Sequence, residues 1–423
     1  MFAMLFRRYG TFTGGIDLPD EKHATLDSPI APAPTPERLR VPLAPCGGRG
    51  AQPCVTVGER VEAGQPIAKA AEPNGVDIFA PLSGKVAAIT TVDVARGGRF
   101  APSPAVVLTE LSAPRVPASA DETFDWRDAD AEELRRRIGE GNLVTHRRRP
   151  EPLVRWINRA RSAPCDTLIG NVVERRPYVT AGHRLLAERG REVIAGLAML
   201  ARALEVSEVL LAVDQRRTGD YRDVPAPARE HGVSRVALPH KYPIGADNVL
   251  VKVLTRKEVP PGGDTIDVGV AVIDAATCFA VRQWVACGVV ATGLVVTVAG
   301  ERASEPGNYY VAFGTPGAVV SPATDAVLAI DSPAPPPPGP CIRCGWCTDH
   351  CPARLNVAAL NDAYELGRIA QAARAGASAC VDCGVCSYVC PARLPLSQRV
   401  RQLKRSIDRI RRTMPLLTAE GRF

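Results

Sequence analysis

The chain has 423 residues, 46% hydrophobic and 23% charged, so it is long enough for several domains and too apolar to be disordered throughout. Its net charge of +7 is diluted over a large chain, with much of it in local Arg runs such as 147–149, and only 5% of residues are aromatic. No aromatics alternate with the arginine run at 147–149, so a nucleic-acid partner is not expected.

Residues 1–6 are apolar but short, and Arg7 and Arg8 follow them instead of leading them, so no secretory leader is expected. Residues 1–118 read as β. Short valine-rich runs at 55–58, 61–64, 66–68, 77–81, 83–89 and 105–108 are punctuated by Gly and Pro, which predicts a small sandwich or barrel. Residues 119–290 alternate helix signals (130–138, 181–204) with apolar strand signals (167–169, 208–213, 235–238, 267–273), the pattern of an α/β layer. The stretch 283–300 carries no charge. Its Gly, Thr and Val content reads as two buried strands broken by a turn, not as a membrane span, so a soluble intracellular chain is expected. Residues 291–328 return to strands. Residues 329–340 are a Pro-rich, stiff, extended linker.

Residues 341–400 hold an internal repeat. Cys341-Ile342-Arg343-Cys344-Gly345-Trp346-Cys347 leads to Cys351-Pro352, and Cys380-Val381-Asp382-Cys383-Gly384-Val385-Cys386 leads to Cys390-Pro391. This spacing is unlike a secreted disulfide framework. A [4Fe–4S] cube needs four thiolates at the corners of a tetrahedron. Three come from one loop, and in the two-cluster bacterial pattern the fourth cysteine of each run ligates the other cluster. One cluster is therefore assigned to Cys341, Cys344, Cys347 and Cys390, and the second to Cys380, Cys383, Cys386 and Cys351. A pair of zinc sites is the alternative, but zinc needs neither the third step of each run nor the trailing Cys-Pro. His350 precedes a ligand whose set is already complete and receives no role. Of the scattered cysteines Cys46, Cys54, Cys165, Cys278 and Cys287, most read as small buried apolar residues. Between the runs, 357–377 is Ala-rich and predicted helical; 397–412 is predicted as a basic helix, and 401–423, beyond the cysteine domain, as a basic helical tail.

Several segments resemble the C subunit of the Rnf/Rsx ion-translocating electron-transport complex. They are Thr13-Gly14-Gly15-Ile16 with Pro19 and Lys22, Tyr242-Pro243 with Gly245-Ala246, Val259-Pro260 with Gly262-Gly263, Pro306-Gly307-Asn308 through Gly314-Thr315, and the cysteine runs themselves. The resemblance implies a multidomain fold of α/β and α+β type. It comprises a barrel-sandwich hybrid (1–118) similar to lipoyl carriers but without a carrier-lysine hairpin, a complex-I-like α/β domain (119–290), a small β-grasp-type domain (291–328), and a helical two-cluster ferredoxin domain (341–400). It also implies an electron-transfer subunit, cytoplasmic and peripheral on the inner face of the cell membrane. Other subunits of a membrane electron-transport complex and a ferredoxin-type donor or acceptor are its expected partners. Family members bind FMN and NADH in the middle domain, through a run like Gly-Gly-Ala-Gly-Phe-Pro-Thr near 138–145 and a Glu-Cys-Glu-Pro-Tyr run. Here these read Ile138-Gly139-Glu140-Gly141-Asn142-Leu143-Val144-Thr145 and Glu174-Arg175-Arg176-Pro177-Tyr178. FMN and NADH are therefore not expected as cofactors. An NADH-oxidising flavin subunit and a scaffold with structural clusters remain the rival readings.

Overall fold

The computed structural model describes residues 11–46, 50–96, 99–118, 120–147, 149–174, 176–316, 320–331 and 337–413. The apolar start, Arg148, Arg175, residues 332–336 of the Pro-rich stretch and the end of the basic tail lie outside them. In chain order the elements are β1 (Ile30–Pro32), β2 (Leu39–Pro42), β3 (Gln52–Pro53), β4 (Arg60–Val61), β5 (Pro66–Lys69), β6 (Ile78–Phe79), β7 (Gly84–Arg96), β8 (Arg99–Thr109), α1 (Ala131–Glu140), α2 (Leu153–Ser162), β9 (Thr167–Asn171), α3 (Ala181–Leu204), β10 (Glu208–Asp214), α4 (Pro225–Glu230), β11 (Ser234–Leu238), α5 (Asp247–Thr255), β12 (Val270–Asp274), α6 (Ala275–Cys287), β13 (Gly293–Ala299), β14 (Gly307–Ala312), β15 (Ala326–Leu328), α7 (Trp346–Asp349), α8 (Val357–Glu365), α9 (Ile369–Arg374), α10 (Val385–Tyr388) and α11 (Leu396–Thr413).

These elements form two compact units that are not contiguous in sequence. One comprises 20–238 and 269–331, and the other 1–19, 239–268 and 332–423. In the larger unit, the sheets β2-β8-β7-β4 and β3-β5-β6 enclose Leu39, Val41, Ile67, Val86, Val106 and Leu108, as alternating apolar residues require. Residues 55–58 and 62–64, expected as strands, are turns and extended coil around the short β4. Gly58 (φ +94°) and Gly64 (φ +81°) take left-handed conformations that a strand does not accommodate.

The α/β layer is a parallel sheet ordered β11-β10-β9-β12. β9 is buried along its whole length between two neighbours, which explains its unbroken apolar run. Helix α1 starts where the Asp130 carboxylate accepts from the Glu133 N–H, and it buries Leu134 and Ile138, one turn apart. The expected strand 267–273 begins only at Val270, because Thr265–Val268 is a 3₁₀ turn and Gly269 (φ +76°) follows it. Two strands were expected across 283–300. The first is instead the last turn of α6, which Gly288 (φ +67°) caps, and only β13 is a strand. Helix α6 is buried on nearly all sides, so it lacks the polar face that makes a helix visible in sequence. The sheet β1-β14-β13-β15 is mixed and recruits β1 from residues 30–32, far from its other strands.

In the smaller unit, α8, α9 and α11 bury Leu360, Ala372, Leu396, Val400, Leu403 and Ile407 around one core. The expected continuous helix 357–377 is broken at Gly367 (φ +65°) into α8 and α9. No described helix is long and apolar enough to cross a membrane.

Candidate functional site

Both cysteine runs take the same backbone path. Positive φ recurs at matching positions: Arg343 (+58°) and Asp382 (+58°), Gly345 (+83°) and Gly384 (+84°), Arg354 (+55°) and Arg393 (+56°). Such left-handed steps coil a loop tightly enough to turn its thiols toward one point. Gly345 starts α7, which carries Cys347, and Gly384 starts α10, which carries Cys386. Backbone N–H groups approach the sulfurs: Leu355 donates to Cys351 Sγ and Asp382 to Cys380 Sγ, each at 3.4 Å.

The thiols sort into two groups. One cavity is lined by Cys341, Cys344, Cys347 and, from the other run, Cys390. Burial raises the Cys347 thiol, and the thiol neighbours acting on it are Cys344, Cys390 and Cys341. Burial pushes Cys383 up to about 11 and Cys386 up to about 12; Cys380 and Cys351 act on both. Burial raises Cys380 too, with Cys351 among its neighbours. Such thiols resist ionisation unless a bound cation compensates the charge, so the donor set fits a thiolate-held metal cluster. Of the five scattered cysteines only Cys278 is buried, and Cys54 is exposed.

Residues distant in sequence brace these loops. Ile16 and Tyr242 form an antiparallel bridge. The Gly15 N–H donates to the His350 carbonyl (2.9 Å), and a Cβ on Gly14 would stand 2.8 Å from backbone atoms of His350 and Cys351. Tyr242 Oη donates to the Cys383 carbonyl (2.6 Å), and Lys404 Nζ donates to the Cys380 carbonyl (2.7 Å). Sequence reasoning quoted Thr13–Ile16 and Tyr242 only as marks of resemblance. No local pattern placed them at the cysteines.

The larger unit has a second candidate site, at the carboxyl end of its parallel sheet. The order in which strands join the sheet switches sides between β9 and β12, all strands staying parallel, and at such a switch point open α/β sheets hold their ligands. A pocket there is lined by Asn171, Glu174, Arg147, Arg176 and Asp274 among others. The Glu174 carboxylate accepts from the Gly182 and His183 N–H groups (2.8 and 3.0 Å), so it occupies the N-terminus of α3. Asp274 does the same for α6, accepting from Thr277 N–H (2.8 Å) and Thr277 Oγ1 (2.7 Å). Burial raises Glu174, while burial lowers the nearby Lys22 ammonium. Arg176 is paired with Asp325 at 2.9 Å.

The glycines of 138–145 are otherwise employed. Gly139 and Glu140 are the last residues of α1, and Glu140 is ion-paired with Arg136 instead of standing in a loop as a sequence reading would place it. A Cβ on Gly141 would fall 2.4 Å from the Trp284 ring, so that glycine admits an indole. His146 is half-buried, and the desolvation of its ring lowers its pKa. Its backbone N–H donates to Thr277 Oγ1 (3.0 Å), and its ring stacks 6.4 Å from Phe313. Of the lining, Arg147 stood in the arginine run and Glu174 and Arg176 in the 174–178 run quoted from the sequence; Asn171 and Asp274 had no sequence signal.

Three domain families match the chain. The RnfC barrel sandwich hybrid domain matches residues 10–110, the Nuo51 FMN-binding domain matches 152–283, and the 4Fe-4S dicluster domain matches 337–403. Among solved structures, a chain of NAD+-reducing [NiFe]-hydrogenase in the air-oxidised state is similar at 19% identity and a TM-score of 0.38, over 45% of this chain and 39% of that one. The H2-reduced state gives 16% and 0.38, over 47% and 40%. The chain thus covers 39% and 40% of the hydrogenase chains it resembles.

Proposed function

The chain is an RnfC-like iron–sulfur electron-transfer protein, and on that premise we propose that it is a subunit of a membrane-associated oxidoreductase complex, conducting electrons through two [4Fe–4S] clusters. Cys341, Cys344, Cys347 and Cys390 hold one cluster, and Cys380, Cys383, Cys386 and Cys351 hold the other. The observation that carries this reading is the grouping of the thiols, in which each run contributes its last cysteine to the other run's set. That exchange makes the clusters neighbours and the domain a short wire. The protein docks on membrane-embedded partners at the inner face of the membrane. Membrane fractionation after co-expression with its genomic neighbours tests this, and a chain that stays monomeric and soluble there refutes it.

The middle domain does not bind FMN or NADH in the family manner. A phosphate site needs free backbone N–H groups at a helix N-terminus or in a Gly-rich loop. Both helix N-termini at this pocket already hold a carboxylate of the chain, and Gly139 lies within α1. An incoming phosphate would meet Glu174 and Asp274. The match to an FMN-binding domain favours the opposite reading, an NADH-oxidising flavin subunit. Anaerobic incubation with FMN and NADH separates the two. Neither stoichiometric flavin nor bleaching of the clusters is expected, and tight FMN with rapid NADH-driven bleaching restores the enzyme.

A further inference from the structure

The two thiol groups are not equally placed for taking on charge. In the first, Cys344 lies at the surface, and Trp346 between Cys344 and Cys347 is 52% exposed. In the second, Cys351 is buried, and Val385, which matches Trp346, is 1% exposed. A cluster gains one unit of negative charge when it takes an electron, so burial holds its reduction potential down for the same reason that it raises the thiols of Cys383 and Cys386. Two side chains from outside the cysteine runs meet the second run. Lys404 Nζ, on α11, donates to the Cys380 carbonyl at 2.7 Å, and Tyr242 Oη donates to the Cys383 carbonyl at 2.6 Å. Both acceptors belong to residues whose thiols are assigned to the second cluster. The charges within the runs are paired: Asp382 lies 3.8 Å from the Arg401 guanidinium, and Arg343, its match in the first run, is 2.7 Å from Asp362. Burial raises the Cys380 thiol most and the Asp382 charge adds to that, whereas Lys404 lowers it.

Resting on the cluster assignment proposed above, we infer that Lys404 and Tyr242 are positioning residues for electron transfer, which raise the reduction potential of the second cluster alone against the burial that lowers it. An ammonium at the peptide of one ligand attracts the added electron, and a hydroxyl donated to the peptide of another turns the positive end of its dipole toward the loop. Cys380 and Cys383 are half-buried, so salt screens these charges less than it would at an exposed surface. The electron is supplied by the first cluster, which is oxidised as the second is reduced; no bond or proton moves. Lys404 and Tyr242 thereby keep the more buried cluster accessible to electrons from the more exposed one.

Full-length protein, reconstituted anaerobically with iron and sulfide, is titrated potentiometrically while electron paramagnetic resonance reads each cluster; Cys347→Ser and Cys351→Ser assign the two signals. Lys404→Met is expected to lower the midpoint of the second cluster by about 59 mV or more, a tenfold or larger change in its one-electron equilibrium, and to leave the first in place. Lys404→Arg, which keeps the charge, is expected to retain the native midpoint, and Tyr242→Phe to lower the same midpoint by less. Bracing of the loop alone would change iron content or stability and leave the midpoints where they are. If Lys404→Met holds too little iron to titrate, Tyr242→Phe decides, since it removes one hydroxyl and keeps the ring. Unmoved midpoints at native iron content, equal shifts of both midpoints, or an arginine variant that behaves as the methionine one overturns the proposal. Native protein that incorporates fewer than two clusters refutes the cluster assignment and this inference with it. Two native clusters whose midpoints ignore Lys404 and Tyr242 refute the inference alone.

Discussion

Gly14→Ala tests whether the segment 11–19 holds the cysteine loops in place. Gly14 sits at φ +74°, where an L side chain is strained by about 1–2 kcal/mol. Its Cβ would also stand 2.8 Å from the carbonyl carbons of His350 and Cys351 and from the Cys351 oxygen. All of these are backbone atoms of the loop that carries a cluster ligand, so they cannot rotate aside. Forcing such overlap adds about 1–3 kcal/mol. A total of about 3 kcal/mol is a large share of a domain's stability. The control is Gly58→Ala in the larger unit. Gly58 has φ +94° but nothing within 4 Å of its virtual Cβ, so that variant carries the backbone term alone. The assay is denaturant titration of the anaerobically reconstituted chain, followed by loss of the visible cluster absorbance. Gly14→Ala is expected to lower that midpoint clearly and Gly58→Ala to leave it in place. If the two variants match the native midpoint alike, the brace plays no part in holding the cluster.

Three further outcomes follow from particular residues. Cys347→Ser and Cys351→Ser lie four positions apart but are expected to abolish different clusters, each leaving about four of eight irons, with distinct electron paramagnetic resonance signals; loss of the same signal in both refutes the exchange of fourth ligands. Burial holds His183 down at about 4, and its Nδ1 lies 2.9 Å from Tyr221 Oη. Because its folded value lies below the unfolded 6.5, its contribution is complete above pH 6.5 and is lost as pH falls through about 4, amounting to about 3 kcal/mol; unfolding titrations of native protein and His183→Gln should show that slope only in the native chain, and equal slopes refute it. Glu140→Gly is expected not to confer FMN binding by fluorescence titration, because residues 139–140 close α1 and Gly141 is filled by Trp284; a gain of tight binding would show that charge alone blocked the site.

The chemistry of the cysteine domain was legible in the sequence because it is local. Three ligands of each group lie within seven residues, and the left-handed turns that aim them need Gly345 and Gly384 at fixed offsets. Helix α1, helix α3, and strands β9, β10 and β11 were legible for the same reason, since helical periodicity and apolar runs are short-range signals. Helix α6 was not, because burial on nearly all sides removes the amphipathic period. What only the tertiary structure decided is which distant segments meet. Tyr242 and Gly14 at the loops of Cys383 and Cys351, strand β1 in the sheet of β14, and two carboxylates on the helix ends that face the sheet pocket depend on backbone hydrogen bonds and close packing. Such contacts are set by the path of the chain through space, and residue spacing does not encode that path.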